Sequence, residues 1–391
     1  MTVLAHGVGQ SQDLPLPLDL VLQAGAATVV VSFLVVALCW KQPRAAATAP
    51  EPPGPGHRLR FVVLAVAVYV VGNALLGPRG PENPAGHALF VWLWVGLVPV
   101  SVVAGPVWRE VNPLRTLFRL LRLPEAGLRP VPRSVGRWPA AVALLAFVWL
   151  ELVAPHRGDP VVVGCFLLAY AVVQLACAAV RGEQWFARGD CFEVYSTLAG
   201  RLRGRPPARV AQTASGPGLA AFLAVWWGST IFDSASGSPA WAGFQQRAGS
   251  PIVYGTAALV LLCALVLVSV RLLSGRLDVT ASLIPIAVGY TLAHYLSLLL
   301  VEGPRGALLA VQQWGGAEGV QWDVVPMPTV VAGAQITLIL GGHVLGVVVA
   351  HDMALRAAPE RPMLATLADE LPVVLLMIGY TWTGLFLLFV R

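Results

Sequence analysis

Residues 161–180 read VVVGCFLLAYAVVQLACAAV, a stretch without a single charged side chain. At ~1.5 Å per residue, such a helix is as long as the hydrocarbon core of a bilayer is thick. The run is continuous rather than alternating, so it reads as a spanning helix and not as a barrel strand. Arg181 ends it abruptly. Nine further runs of the same character lie on either side: 20–40, 61–77, 87–108, 138–154, 217–233, 251–270, 280–301, 329–350 and 371–390. The connections between them are unequal in charge. Those at 41–60, 109–137, 181–216, 271–279 and 351–370 carry 21 Lys and Arg, and the alternate set, termini included, carries 5. Positive residues mark cytoplasmic loops, so the pattern predicts an all-α, polytopic membrane helix bundle of about ten transmembrane helices. Its predicted place is the cell membrane, with both termini outside.

Composition agrees. Hydrophobic residues make up 57% of the chain and charged ones 12%, with mean hydropathy +0.72. So few charges cannot clothe a water-soluble domain of this length. The net charge of +6 gathers on the inner face, where anionic headgroups attract it; the implied partner is the lipid bilayer, and no nucleic acid is called for. Cys39, Cys165, Cys177, Cys191 and Cys263 are dispersed with no CxxC spacing, which argues against a dithiol redox site and a disulfide framework. No basic n-region or short apolar core marks a cleavable signal at the N-terminus.

The chain reads as a single integral membrane domain over 1–391. Residues 41–60 form a Pro- and Ala-rich cytoplasmic linker, and 302–328 an external loop. Two cytoplasmic segments predict interfacial amphipathic helices. In the first, Asn112 before Pro113 is an N-cap, with Leu114, Leu117, Phe118 and Leu121 on one face and Arg115, Arg119 and Arg122 on another. In the second, Asp190 and Glu193 have capping-box spacing ahead of Phe192, Tyr195, Leu198 and Leu202. Anchorage to lipid explains both, with a protein docking site as the alternative.

Ionisable groups within spans are costly and mark candidate sites. In the eighth span Tyr290, His294 and Ser297 share a face, and Gly289, Ala293 and Ser297 form a small-residue stripe. Pro285 can kink this span. In the ninth, Gly342, Gly346 and Ala350 form a second stripe, His343 sits beside it, and His351 and Asp352 close the span. His343 and His351 are too far apart on a straight helix to chelate one metal. Glu151 in the fourth span and Asp233 in the sixth lie near outer ends, with Ser229 and Thr230 a turn below Asp233. By depth, Glu151, Asp233 and His294 fall in the outer half and His343 nearer the inside.

These positions predict that Asp233 and His294 converge, together with Glu151. One chemistry for such a set is a divalent metal centre with His294, Asp233, Glu151 and His343 as candidate ligands and Asp233, His294 and Glu151 as catalytic groups. Hydrogen bonding across helix contacts is the structural alternative, and an ion, proton or substrate path a further one. Haem ligation by His294 and His343, in a metal-binding accessory subunit of a membrane complex, is a fourth. His6 in the external tail, His87 at the start of the third span and His156 after the fourth could add further ligands. Neither a GxSxG elbow nor a P-loop is present.

Several stretches, in order along nearly the whole chain, resemble one family. They are AHGVGQSQDLPLP (5–17), WVGLVPVSVVAGPVWREVNPLRTL (94–117), RWPAAVALLAFVWLELV (137–153), RGDCFEVYS (188–196), STIFDSASGSPAW (229–241), AHYLSLLLVEG (293–303) and GHVLGVVVAHDMAL (342–355). The family is that of actinobacterial integral membrane proteins identified as fenitrothion hydrolase. The resemblance implies hydrolysis of a small apolar organophosphorus ester near the outer leaflet. It also places His6, Glu151, Asp233, His294, His343, His351 and Asp352 within characteristic segments.

Overall fold

A computed structural model describes residue 14 and residues 16–43, 58–204, 206–213, 215–273, 278–357 and 363–389. The expected external tail with His6, and most of the 41–60 linker, lie outside the described residues. Among the described residues all regular structure is helical, without strands. The principal helices are α1 (Leu18–Cys39), α2 (Leu59–Leu76), α3 (His87–Ala104), α4 (Pro113–Leu120), α5 (Trp138–Leu152), α6 (Pro160–Arg181) and α7 (Cys191–Gly200). They continue with α8 (Leu219–Ser236), α9 (Pro251–Leu273), α10 (Leu283–His294), α11 (Leu296–Gln312), α12 (Pro328–Ala357) and α13 (Met363–Phe389).

Eight stretches are long and apolar enough to cross a membrane: α1, α2, α3, α5 with its preceding turn, α6, α9, α12 and α13. The bent pair α10–α11 makes a ninth if it counts as one span. Of the ten expected runs, α8 is the remaining one. Trp226, Trp227, Ser229, Thr230, Asp233 and Ser234 dilute its apolar character, and every residue from Leu219 to Ser234 is buried. It is wrapped by protein rather than lipid.

The expected eighth span is also reshaped. Its helix ends at His294, Tyr295 adopts φ −97° and ψ 9°, and a second helix starts at Leu296. That helix continues to Gln312 with Pro304 inside it, so the expected external loop is shorter than 302–328 by its first eleven residues. Gly303, Pro304 and Gly306 read as breakers in sequence, yet the helix tolerates them at the cost of one ladder bond.

The chain divides into two compact units. One gathers the described residues of Pro52–Gly200 with Ser297–Pro326. Its core is aromatic: Trp94 stacks on Tyr195 at 4.7 Å and meets Phe147 edge-on at 5.1 Å, and Phe147 meets Phe192 at 5.3 Å. The first ten residues of α3 are wound as a π-helix. At its mouth His87 Nε2 lies 2.9 Å from Glu302 Oε2, and Trp92 donates to the Gly303 carbonyl.

The two helices expected at the cytoplasmic face form as read, with different surroundings. Asn112 caps α4 by accepting from Leu114 N–H, and Asp190 caps α7 by accepting from Phe192 N–H. However, Arg115 does not face lipid headgroups. It clamps Glu193 with Nε and Nη2, at 2.7 and 2.6 Å, and reaches Glu183 with Nη1, while Arg119 also donates to Glu183. Every residue of α7 except Thr197 is buried. The carboxylates that neutralise the basic face come from a segment some seventy positions away, which local periodicity cannot reveal.

The other unit gathers the described residues of Gly7–Glu51, Arg201–Leu296 and Met327–Arg391. Here the small-residue stripes of α10 and α12 meet. A Cβ on Gly289 would stand 2.5 Å from the Leu338 carbonyl oxygen, one on Gly342 2.6 Å from that of Pro285, and one on Gly346 2.9 Å from that of Ser282. Backbone therefore rests on backbone, as small-xxx-small spacing predicts. Gly228 of α8 is pressed in the same way onto the Cys263 backbone of α9.

Candidate functional site

Asp233 and His294 converge. His294 Nε2 lies 2.9 Å from Asp233 Oδ2, and Tyr295 donates its hydroxyl to the same oxygen at 3.0 Å. On a regular helix adjacent side chains diverge by ~100°. The break at Tyr295 is what lets two consecutive residues reach one carboxylate. On the far side of the ring, His294 Nδ1 lies 3.1 Å from Ser234 Oγ, which lies 3.0 Å from the Tyr290 hydroxyl.

With a carboxylate at one end, the donor roles follow. His294 Nε2–H donates to Asp233, Ser234 O–H donates to His294 Nδ1, and Tyr290 O–H donates to Ser234. The tautomer of His294 is thus set by its partners. The rings reinforce the geometry: His294 stands edge-on to Tyr295 at 4.5 Å and lies near-parallel to Tyr290 at 6.0 Å. All five residues are buried, Asp233 at 7% exposure being the most open. Below them Trp226 Nε1 donates to Thr291 Oγ1, and Ser229 and Thr230 turn back onto the Trp226 carbonyl.

Sequence reading identified Asp233, His294 and the face bearing Tyr290, but not Ser234 or Tyr295. A serine beside a buried aspartate was the available signal.

Glu151 is buried on α5, in the first unit. His343 is buried on α12, with Nδ1 2.8 Å from the Ile339 carbonyl oxygen. His351 Nδ1 lies 3.0 Å from both oxygens of Glu370, and its Nε2 3.0 Å from the Trp40 carbonyl oxygen. Asp352 pairs with Arg356 at 2.8 Å. His156 is exposed, in a turn with φ 56°.

The first unit holds a second polar centre that the sequence reading took for lipid anchorage. Asn112 Nδ2 donates to Asp190 and Glu193, and the Tyr170 hydroxyl donates to Asp190 Oδ1 at 2.7 Å. Burial, followed by the neighbouring Glu193 charge, raises the Asp190 carboxyl to about 6. Burial also pushes the Cys191 thiol up, leaving it inert as a nucleophile. For Arg115, burial opposes the charge, but Glu193 and Glu183 outweigh it and raise the guanidinium above its ordinary value.

Among the described residues no three His, Cys, Asp or Glu side chains form a group that could hold a metal ion. Asp233 and His294 supply two donors facing each other, short of the three that a protein-held catalytic centre uses. What the arrangement can do is pass a proton: each of its members accepts or donates one, and they are joined in series. No family model matches this chain, and neither a curated protein nor a solved structure matches it.

Proposed function

We propose that this polytopic membrane protein moves protons, as a proton-conducting or proton-coupled transporter, through the series Tyr290, Ser234, His294 and Asp233. The observation that carries the reading is the unbroken hydrogen-bonded chain through the buried His294 ring. A proton taken at Nδ1 from Ser234 is matched by one released from Nε2 to Asp233, which leaves the ring as its Nδ1–H tautomer, to be reset before the next proton passes. Buried ionisable groups in bundles commonly serve such relays. On the same reading both termini are outside and Asp233 is the outward end, by the charge asymmetry of the loops.

Purified protein in liposomes loaded with a pH-sensitive dye tests this. An imposed proton gradient or potential should drive flux in the parent protein, and Asp233→Asn or His294→Gln should remove most of it while helix content is kept. A parent protein that passes no protons under either force sinks the proposal.

A second reading has its own observation. Ser234, His294 and Asp233 stand in the order nucleophile, base and orienting carboxylate, and the family resemblance points to organophosphorus ester hydrolysis. A fluorophosphonate probe should then label Ser234 covalently, and His294→Gln should abolish labelling. Under the relay reading the buried serine stays unlabelled.

A further inference from the structure

Where α1 ends, in the second unit, one histidine stands between two acceptors. His351 of α12 has Nδ1 3.0 Å from both Oε1 and Oε2 of Glu370 on α13. Its Nε2 lies 3.0 Å from the carbonyl oxygen of Trp40, the residue that follows α1. The His351 side chain is wholly buried and that of Glu370 is 3% exposed. All three residues belong to the same unit.

A neutral imidazole carries one N–H and one bare nitrogen. A carbonyl oxygen can only accept, so Nε2 carries a hydrogen. Nδ1 faces both carboxyl oxygens at equal distance, the pattern of an ionised carboxylate receiving one donor. A protonated carboxyl would turn only its hydroxyl oxygen to the ring. Both nitrogens are therefore donors, and the ring is an imidazolium paired with the Glu370 carboxylate. A buried charge needs such a partner and satisfied hydrogen bonds. The two acceptors belong to different segments, so a single ring ties α12 to α13 and to the end of α1.

The charged groups on the surrounding elements are few. On α12 itself Asp352 follows His351 and is held by Arg356 at 2.8 Å. On α13 Asp369 precedes Glu370, and Lys41 follows Trp40. The 206–211 helix, which also packs on α12, carries Arg209. α10 and its preceding turn, 280–294, contain no Asp, Glu, Lys or Arg.

We infer that His351 is a proton-operated latch on the C-terminal end of α1. With both ring nitrogens protonated the latch is closed. Loss of one proton leaves a single ring hydrogen for two acceptors. Glu370 keeps it, because a hydrogen bond to an ionised acceptor is the stronger. The bare Nε2 then turns its lone pair on the Trp40 carbonyl, and the two repel. α12 and α13 stay joined while Trp40 is let go. The Trp40 N–H closes the last turn of α1 on the Val36 carbonyl, so the release is carried into that turn. The sign is fixed by the chemistry: the anchorage is present while the ring is charged and is lost as pH rises through its titration. The latch stands independently of the relay at His294.

Solid-state nitrogen NMR of the full chain in liposomes, with isotope-labelled histidine rings, tests the closed state. Near neutral pH the His351 signal, identified by its absence in His351→Gln, should show hydrogen on both ring nitrogens. One bare nitrogen overturns the inference. A nitroxide on Cys39, exposed in the last turn of α1, tests the release without altering a latch residue, in protein carrying Cys165→Ser and Cys177→Ser. The label should become several-fold more mobile as pH is raised from about 6 to about 9, across the range in which histidines titrate. His351→Gln and Glu370→Gln, which each leave a neutral group in place of a charged one, should remove that response. A label equally immobile throughout the range with His351 and Glu370 intact overturns the latch, and so does the same response in all three proteins.

Discussion

Asp233 Oδ2 accepts from two side chains, and the two donors differ in what their loss exposes. Tyr295→Phe keeps the ring and leaves the carboxylate its bond to His294, so it should cost about 1 kcal/mol. His294→Ala removes a donor to Asp233 and the acceptor for Ser234 together, and should cost about 2–4 kcal/mol through unmet partners and a cavity. Thermal unfolding in detergent checks the order; a larger loss in Tyr295→Phe would make the tyrosine the principal donor. The sequence foretold the convergence of Asp233 with His294 because a lone charge facing lipid is expensive. It could not foretell Tyr295, since consecutive residues share a target only where the helix breaks.

At the scale of the helix, adjacent glycines of α12 have opposite duties. Gly342 rests on the Pro285 carbonyl, whereas a Cβ on Gly341 meets nothing within 4 Å. Gly342→Leu should therefore cost about 1–3 kcal/mol or more by overpacking, and Gly341→Leu should leave the melting temperature nearly unchanged. Equal losses would mean that the contact of Gly342 with the Pro285 carbonyl is not what sets the cost. The cap of α7 makes a prediction about pH. Burial and then Glu193 raise Asp190 to about 6, from an ordinary value of ~3.9. A raised carboxyl favours the folded state while protonated. Its contribution is complete below pH ~4 and is lost as pH rises through 6, amounting to about 3 kcal/mol. Melting temperature should accordingly rise on acidification from pH 7 towards 5 through this group, and Asp190→Asn, which keeps a cap acceptor, should flatten that response. An unchanged slope in the variant assigns the effect elsewhere. The caps at Asn112 and Asp190 were legible because they are local signals. The pairing of Arg115 with Glu193 was not, because it joins distant segments.

For the whole molecule, the proposed orientation has a direct test. A cysteine at Gln12 should react with an impermeant thiol reagent in intact cells, and one at Ala47 should not; the reverse pattern inverts the topology. Both positions lie outside the described residues, and the prediction rests on the 21-to-5 charge asymmetry alone. The sequence by itself determined the helical membrane class and most of the spanning segments, because transfer of a side chain into lipid is a nearly additive, local cost. It also supplied the small-residue stripes through which α10 and α12 meet. Only the tertiary structure decided that α8 is enclosed by protein, that α10 stops at His294, and that Ser234 and Tyr295 join Asp233. Those outcomes depend on where a helix breaks and on the rotation and register with which distant helices meet. The hydrophobic pattern of each segment, read singly, carries neither.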